Sequence, residues 1–336
     1  MAEHFPVIAS VLSPERLVTS VLGRYELGGP VRCRFFRRGV NDTYEVWAGK
    51  TPYFLRVFCH AWRTRREIEG ELEVLEHLRE DGVGVSHALR RRDGRYLTRV
   101  RAPEGARWAV LFTAAAGTPP QMDLARSASY GKLVAQVHAS LDRMQERPGR
   151  FQLDLDHLVV SPLNQIAKHR GSQGKNMDYL ESLGGLLAER IDALLPREAP
   201  LYGGCHGDHH GGNVHMDGSG RLTLFDFDCG GYGWRSYDVA VFLWHLSLRY
   251  GINGTGRAKA TRRWNAFLTG YGDVRELSPN EVEATRLFVP ARHIWLMGLH
   301  VGGAERFGYS FVGNAYFDRQ VRFLRRWDQR ENLTCQ

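Results

Sequence analysis

The sequence predicts an α+β protein of two lobes, a β-rich N-terminal lobe followed by a mainly helical C-terminal one. Three observations predict it. Residues 1–113 carry strand-type patterning broken by one helical period. Residues 114–336 are dominated by helical periodicity. A single compact β-type passage, roughly 199–228, interrupts those helices.

Taken in order, Ser13 as N-cap and Pro14 at the first helical position open a short helix over 13–23. Strand-like stretches follow at 31–37, 42–48 and 53–58. Gly39 with Asn41-Asp42 marks the first turn and Gly49 the second, so these strands form consecutive hairpins. Between Arg63 and Glu80, Ile68, Leu72, Leu75 and Leu78 recur at helical spacing. Short strands near 84–90, 95–100 and 107–113 complete the first lobe. Helices are expected at 124–144, 177–195, 235–250, 258–270, 278–299 and 313–327. Trp234, Trp244, Trp264 and Trp295 read as core residues and are given no site. The cleft between the lobes is the expected ligand site.

Composition narrows the class. The longest apolar run, Trp108 to Ala116, suits a buried strand and is too short for a membrane span. Met1-Ala2-Glu3-His4 lacks the basic start and apolar core of a signal peptide, so cytoplasmic residence without a membrane partner is expected. Cys33, Cys59, Cys205, Cys229 and Cys335 form no C-x-x-C pair and are odd in number, which argues against a disulfide framework or a cysteine-type zinc site. The net charge of +8 comes from arginines interleaved with acids, without a run of five like charges. That favours an anionic small ligand over nucleic acid.

Chemistry concentrates between Gly204 and Asp228. A loop, His206-Gly207-Asp208-His209-His210-Gly211-Gly212-Asn213, leads into a strand at 213–216. The turn Asp217-Gly218-Ser219-Gly220 returns the chain through the apolar strand Arg221–Phe225 to Asp226 and Asp228. A hairpin brings its ends together, so Asp208, Asn213 and Asp226 can converge although Asp226 lies eighteen residues after Asp208. Phosphoryl transfer needs such a set: a carboxylate to orient the nucleophile's hydroxyl, and a carboxylate with an amide oxygen to hold Mg²⁺ against phosphates.

The pattern H-G-D-x-x-x-x-N, an apolar strand and D-F-D resembles the aminoglycoside phosphotransferase and homoserine kinase-like superfamily, whose fold is similar to that of protein kinases. Ser236-Tyr237-Asp238-Val239-Ala240 fits that family's helix start, and Leu55-Arg56-Val57-Phe58 is most similar to its bacterial stress response kinase branch. The resemblance implies Asp208 as catalytic base and Asn213 with Asp226 as magnesium ligands. It assigns Asp228 to the metal or to organising the loop, His206 to supporting the loop, and Asp238 to capping its helix and tying it to the loop. It implies lobes spanning 1–113 and 114–336, with ATP and Mg²⁺ between them. Gly39-Val40-Asn41-Asp42 then takes the place of the phosphate-covering turn, Asn41 included, though no G-x-G-x-x-G is present. Without a lysine between Lys50 and Lys132, Arg56 must supply the phosphate cation. Glu71 is its expected partner, Glu67 the alternative. The stretch Val110–Ala114, including Leu111 and Thr113, would cross between the lobes and offer backbone groups to adenine.

Rival readings are weaker. His206, His209, His210 and His215 could bind a metal directly, but Gly207, Gly211 and Gly212 oppose the helix such spacing needs. Gly251 to Gly256 resembles the start of a P-loop, yet Arg257-Ala258 replaces the required Lys-Ser/Thr, and it reads as an interhelical loop. Gly230-Gly231-Tyr232-Gly233 reads as a flexible turn. The expected activity is transfer of the γ-phosphoryl of ATP to a hydroxyl of a small molecule, an antibiotic such as an aminoglycoside or an amino alcohol, by a monomer or homodimer. A Ser/Thr protein kinase of the stress-response type and an inactive nucleotide-binding module are the alternatives. A cationic acceptor would want carboxylates, for which Asp273, Glu276, Glu281, Glu283, Glu305 and Asp318 are candidates.

Overall fold

The computed structural model describes residues 5–170 and 174–334; Met1–His4 and Cys335 lie outside the described residues. Helix α1 (Pro14–Ser20) starts where the Ser13 hydroxyl accepts the Arg16 N–H, and a tight turn over Leu22–Arg24 follows it. Strands β1 (Val31–Arg38), β2 (Asp42–Ala48) and β3 (Thr51–Val57) form the two expected hairpins. Helix α2 (Arg65–Glu80) opens on a capping box between Thr64 and Glu67. Strands β4 (Thr98–Ala102) and β5 (Gly105–Thr113) close a five-stranded antiparallel sheet of order β1-β2-β3-β5-β4. One face of that sheet buries Tyr44, Val46, Leu55, Val57, Ala109 and Leu111 with Leu17, Val21 and Leu22 of the N-terminal segment.

The helical lobe runs through α3 (Leu124–Asp142), β6 (Gln152–Leu153), α4 (Ser161–Arg170) and α5 (Lys175–Leu194). Next come β7 (Tyr202–Cys205), β8 (Val214–Met216), β9 (Leu222–Leu224) and β10 (Gly231–Trp234). The chain ends in α6 (Arg235–Tyr250), α7 (Gly254–Gly272), α8 (Pro279–Gly302), the single turn α9 (Ala304–Phe307) and α10 (Asn314–Glu331). Helices α3, α6, α7 and α8 pack around Tyr130, Phe242, Phe267 and Phe288, and the four tryptophans expected inside are buried. Pro290 leaves the Arg286 carbonyl in α8 without its usual i+4 donor; the Trp327 indole takes it at 3.0 Å. Among the described residues no helix is long and apolar enough to cross a membrane.

Several expectations need correction. The segment 84–90 is not a strand, because its backbone divides between two partners. Ser86 N–H donates to Leu224 O at 2.8 Å and Leu224 N–H to Gly84 O at 2.8 Å, whereas Leu89 N–H donates to Leu111 O at 2.8 Å. It thereby ties the β8–β9 hairpin to the sheet. Residues 95–100 shift to Thr98–Ala102 because Arg91 and Arg95 close a turn before the strand. Helix α4, preceded by a π-helical turn over Asp156–Val160, was not foreseen. The passage Gly230–Gly233 is no flexible turn. Gly231–Trp234 is a fully buried strand between β6 and β7, and its glycines exist for close approach. A Cβ would meet Phe151 O at 2.5 Å from Gly231 and Leu153 Cβ at 2.7 Å from Gly233. Helix α7 already begins at Gly254, so the interhelical loop is shorter than the glycine run suggested.

The core also carries histidines. Burial lowers the pKa of His138 and His293 to about 3 and of His157, His245 and His300 to about 4. Each is neutral in the folded protein but takes a proton near pH 6.5 once unfolded. As pH falls below about 6.5 the unfolded state therefore binds protons that the folded state refuses, and stability declines until the folded values are reached. At pH 5.5 the loss is about 1.4 kcal/mol per fully buried histidine, on the order of 5–7 kcal/mol for the five together with the partly exposed His300 contributing less. The chemical-denaturation midpoint is expected to fall steeply between pH 7.5 and 5.5; a flat profile would contradict the neutral assignment.

Candidate active site

The loop between β7 and β8 is held by backbone geometry before any ligand enters. Gly207 has φ 79°, and a Cβ there would meet Cys229 O at 2.1 Å, so the turn requires glycine. Asp238, buried on α6, accepts the N–H groups of His206 at 2.8 Å and Gly207 at 2.7 Å, and the His138 Nε2 proton at 2.9 Å. Against the cost of burial, His209 and His138 beside it hold its carboxyl far below the ordinary range. Asp238 thus ties α6 to the loop but does not cap its own helix, whose N-cap is Trp234. His206 accepts the Asp208 N–H on Nδ1 (3.1 Å), which leaves Nε2 to donate to Phe225 O (3.1 Å). It braces loop against hairpin, and burial keeps its pKa lowered.

The hairpin joins the ends of this motif as expected. Phe225 N–H donates to Asn213 O at 3.0 Å, and Asn213 Nδ2 donates to Asp208 O at 2.9 Å. With its amide nitrogen committed, Asn213 leaves Oδ1 as an acceptor. Asp226 follows β9 in the left-handed region, φ 70° and ψ 58°, a conformation that Asp tolerates better than most residues. This swing brings its carboxylate, 36% exposed, into the interlobe cleft. Two hard oxygens, one neutral and one anionic, form a donor set that fits Mg²⁺ or Ca²⁺.

From the other lobe, Arg56 on β3 donates to Glu71 Oε1 at 2.6 Å and to Asp226 Oδ1 at 2.8 Å. Burial opposes both partners' charges. Glu71 is pushed upward by burial despite Arg56, while Glu71 and Asp226 hold Arg56 above its ordinary value. The cation stays charged and is aimed at the cleft. Glu67, the alternative partner, is spent on the α2 cap.

Asn41 and Asp228 sit elsewhere than the metal and phosphate roles would place them. Asn41 Nδ2 donates to Asp228 at 3.2 Å and its Oδ1 accepts Cys59 N–H at 3.0 Å. Asp228 also receives the Trp62 indole at 2.7 Å and Arg63, while Arg150 caps the carbonyls of Phe227, Asp228 and Gly230. With every side-chain oxygen engaged, Asp228 organises the loop and links it to the first lobe. Leu111 is fully buried in the N-lobe core, its C=O accepting Leu89 N–H at 2.8 Å and its N–H directed at the Tyr25 hydroxyl, so it offers nothing to the cleft. Thr113 does line the cleft, although its N–H donates to His87 O at 2.9 Å and its C=O accepts the Ser86 hydroxyl at 2.6 Å.

The cleft itself has a volume of about 300 Å³. Its lining mixes apolar groups (Phe36, Phe54, Leu75, Phe112) with the charged Arg37, Arg56, Glu71 and Asp226, and the Arg56 guanidinium lies 4.8 Å from the Phe112 ring centre. Aromatic faces and cations in one cleft suit a ligand that is both flat and anionic. Sequence reasoning missed the residue nearest the expected base, Arg292 on α8, which donates to Asp208 Oδ1. No local motif marks it. The carboxylates proposed for a cationic acceptor are committed in part: Glu281 caps α8 and pairs with Arg275, Glu283 faces Arg190 and Arg286, and Asp318 lies in a groove with Arg319, Arg322 and Arg326. A possible metal cluster among the described residues, His138, Cys205 and Asp238, is fully occupied by its own hydrogen bonds.

Comparison with known proteins agrees with this architecture. The profile of the phosphotransferase enzyme family matches residues 32–277. An uncharacterized protein of Deinococcus radiodurans is 36% identical over 329 residues, covering 98% of this chain and 94% of its own. The amicoumacin kinase of Bacillus subtilis is 26% identical over 308 residues, 87% of this chain and 86% of its own. A microcompartment-associated aminopropanol kinase superposes with a TM-score of 0.77 at 23% identity, over 96% of this chain and all of that one. An amicoumacin kinase solved with AMP-PNP and Ca²⁺ does so with a TM-score of 0.77 at 20% identity, over 96% of this chain and 94% of that one. A two-lobed kinase-like fold and a match spanning most of the chain lead to one conclusion: this protein belongs to the phosphotransferase enzyme family and is a phosphotransferase.

Proposed function

We propose that the protein transfers the γ-phosphoryl group of ATP to the hydroxyl of a small amino alcohol. The observation that carries this is the meeting, in one cleft, of Arg56 and Glu71 from the first lobe with Asp226 from the second, beside a loop that presents Asp208. Adenine would pack among the phenylalanines of the cleft, which Thr113 and Ala115 also line. Arg56 and Arg37 face the phosphates. Asn213 and Asp226 would hold Mg²⁺, which offsets the charge on the β- and γ-phosphate oxygens when bound.

Asp208 accepts the proton of the acceptor hydroxyl as its oxygen attacks the γ-phosphorus; the bond to the β-phosphate oxygen breaks and ADP leaves. Asn213 and His206 fix the backbone from which Asp208 projects, so orientation is established before substrate arrives. The relatives whose names state an acceptor, amicoumacin and aminopropanol, support a small-molecule one.

A transfer screen with γ-labelled ATP and Mg²⁺ tests this directly. Its panel holds 1-amino-2-propanol, homoserine, amicoumacin, an aminoglycoside and a generic protein substrate. Label is expected on an amino alcohol. Label on the protein alone selects the protein-kinase reading, and no transfer despite Mg-ATP binding selects the inactive module.

A further inference from the structure

We propose that Arg292 is the positioning residue of the phosphoryl-transfer base: its guanidinium occupies Asp208 Oδ1 and leaves Oδ2 as the oxygen that meets the acceptor hydroxyl. The inference rests on the reading of Asp208 as base.

Four observations lead there. Arg292 projects from α8 and is 2% exposed, and its Nη2 donates to Asp208 Oδ1. Its nearest rival, His210 Nε2, stands 3.9 Å from Oδ2, beyond hydrogen-bond reach. Meanwhile the backbone of the loop is secured without Arg292. Asp208 N–H goes to His206, and Asp208 O accepts Asn213 Nδ2 and His210 N–H at 2.8 Å. Arg292 therefore sets the carboxylate's rotation, not the path of the chain.

The second pair of observations concerns cost. Arg292 Nε and Nη1 are buried and meet no partner in good hydrogen-bond geometry, although the Tyr237 hydroxyl lies beside the guanidinium. A buried guanidinium with two poorly partnered nitrogens is a poor choice for stability, where an apolar side chain of similar volume serves as well or better. What compensates is a clamp: the guanidinium carbon lies 5.0 Å from the ring centre of Trp244 and 4.3 Å from that of Trp295. Each tryptophan is itself locked, Trp244 Nε1–H onto His293 Nδ1 at 3.1 Å and Trp295 Nε1–H onto His157 Nε2 at 3.0 Å. The two rings restrict where the guanidinium can lie and hence the direction from which its Nη2 holds Oδ1.

The chemical consequence is twofold. A carboxylate free to rotate presents either oxygen in many directions; one tethered at Oδ1 offers Oδ2 in a single direction, which is the near-attack arrangement that proton acceptance needs. A fixed cation behind Asp208 also offsets the repulsion between this carboxylate, Asp226 and the entering phosphates. Arg56 serves the metal-side carboxylate from the first lobe, and Arg292 serves the base from the second.

Arg292→Met tests this while filling the space between the tryptophans. Turnover is read as ADP release from Mg-ATP, with the acceptor labelled in the panel above or with water if none is. Arg292→Met is expected to lower kcat about 100-fold, with KM for ATP and Kd for Mg-ATP changing less than about threefold. In Arg292→Ala, methylguanidinium is expected to restore activity at least about tenfold, with no gain for the unsubstituted protein. Wild-type kcat in Arg292→Met overturns the proposal. So does a loss in which Mg-ATP binding falls in parallel and neither Arg292→Lys nor methylguanidinium restores turnover, since that is a purely structural effect. Asp208→Asn, run alongside, separates the two claims: wild-type turnover there removes the base assignment itself, whereas an inactive Asp208→Asn beside a fully active Arg292→Met removes only the positioning role. If Arg292→Ala fails to fold, the methionine variant decides alone.

Discussion

Asp208→Asn is expected to lower phosphoryl transfer by about 10²–10⁴-fold while Mg-ATP still binds with near-native affinity, because a general base acts in the transition state and not on the bound nucleotide. Asparagine is preferred to alanine for a structural reason. Arg292 is buried against this side chain, and removing that carboxylate outright would leave an uncompensated charge costing about 3–5 kcal/mol. An amide oxygen keeps one acceptor for it. The measurements are steady-state turnover, nucleotide titration and thermal unfolding on one preparation. Retained turnover with lost nucleotide binding would sink the assignment.

The second large effect is expected at Asp226. Its carboxylate is both a metal ligand in the proposed site and one of the two anions that hold Arg56. Asp226→Ala should lower turnover at least about 100-fold and raise the Mg²⁺ concentration needed for half-maximal rate. Asp228→Asn should behave differently, although it lies two residues away. Its oxygens bind Asn41, Trp62 and Arg63, so its loss should lower the unfolding temperature and leave the Mg²⁺ dependence near native. Identical Mg²⁺ responses in the two variants would remove the distinction drawn between the carboxylates.

The motif Asp208-x-x-x-x-Asn213, its hairpin and Asp226 were legible because they are local. Eighteen residues separate the outer two, and a glycine turn closes the distance by itself. Arg56 was legible by elimination, since no lysine was available, and Glu71 from its place on one helix face. The hairpins and the long helices were readable from apolar period, with ends displaced by a few residues.

Where the reading went wrong, the backbone met partners far away in the chain. Residues 84–90 had a strand's composition but divide their hydrogen bonds between Leu224 and Leu111. Gly231 and Gly233 had a turn's composition but sit in a buried strand, because Phe151 and Leu153 leave no room for a side chain. Asn41 and Leu111 were placed by analogy with a nucleotide cleft, yet one is drawn to Asp228 and the other into the sheet core.

Local spacing therefore determined which side chains of the candidate centre meet, for a short loop and a tight hairpin bring them together without help from the rest of the chain. Tertiary structure alone decided its surroundings. Arg292, eighty-four residues beyond Asp208, reads in sequence as one more helical arginine; only the packing of α8 against α6 puts it between two tryptophans and onto the carboxylate. Burial converts a common surface cation into a specific one, and burial is a property of the folded chain.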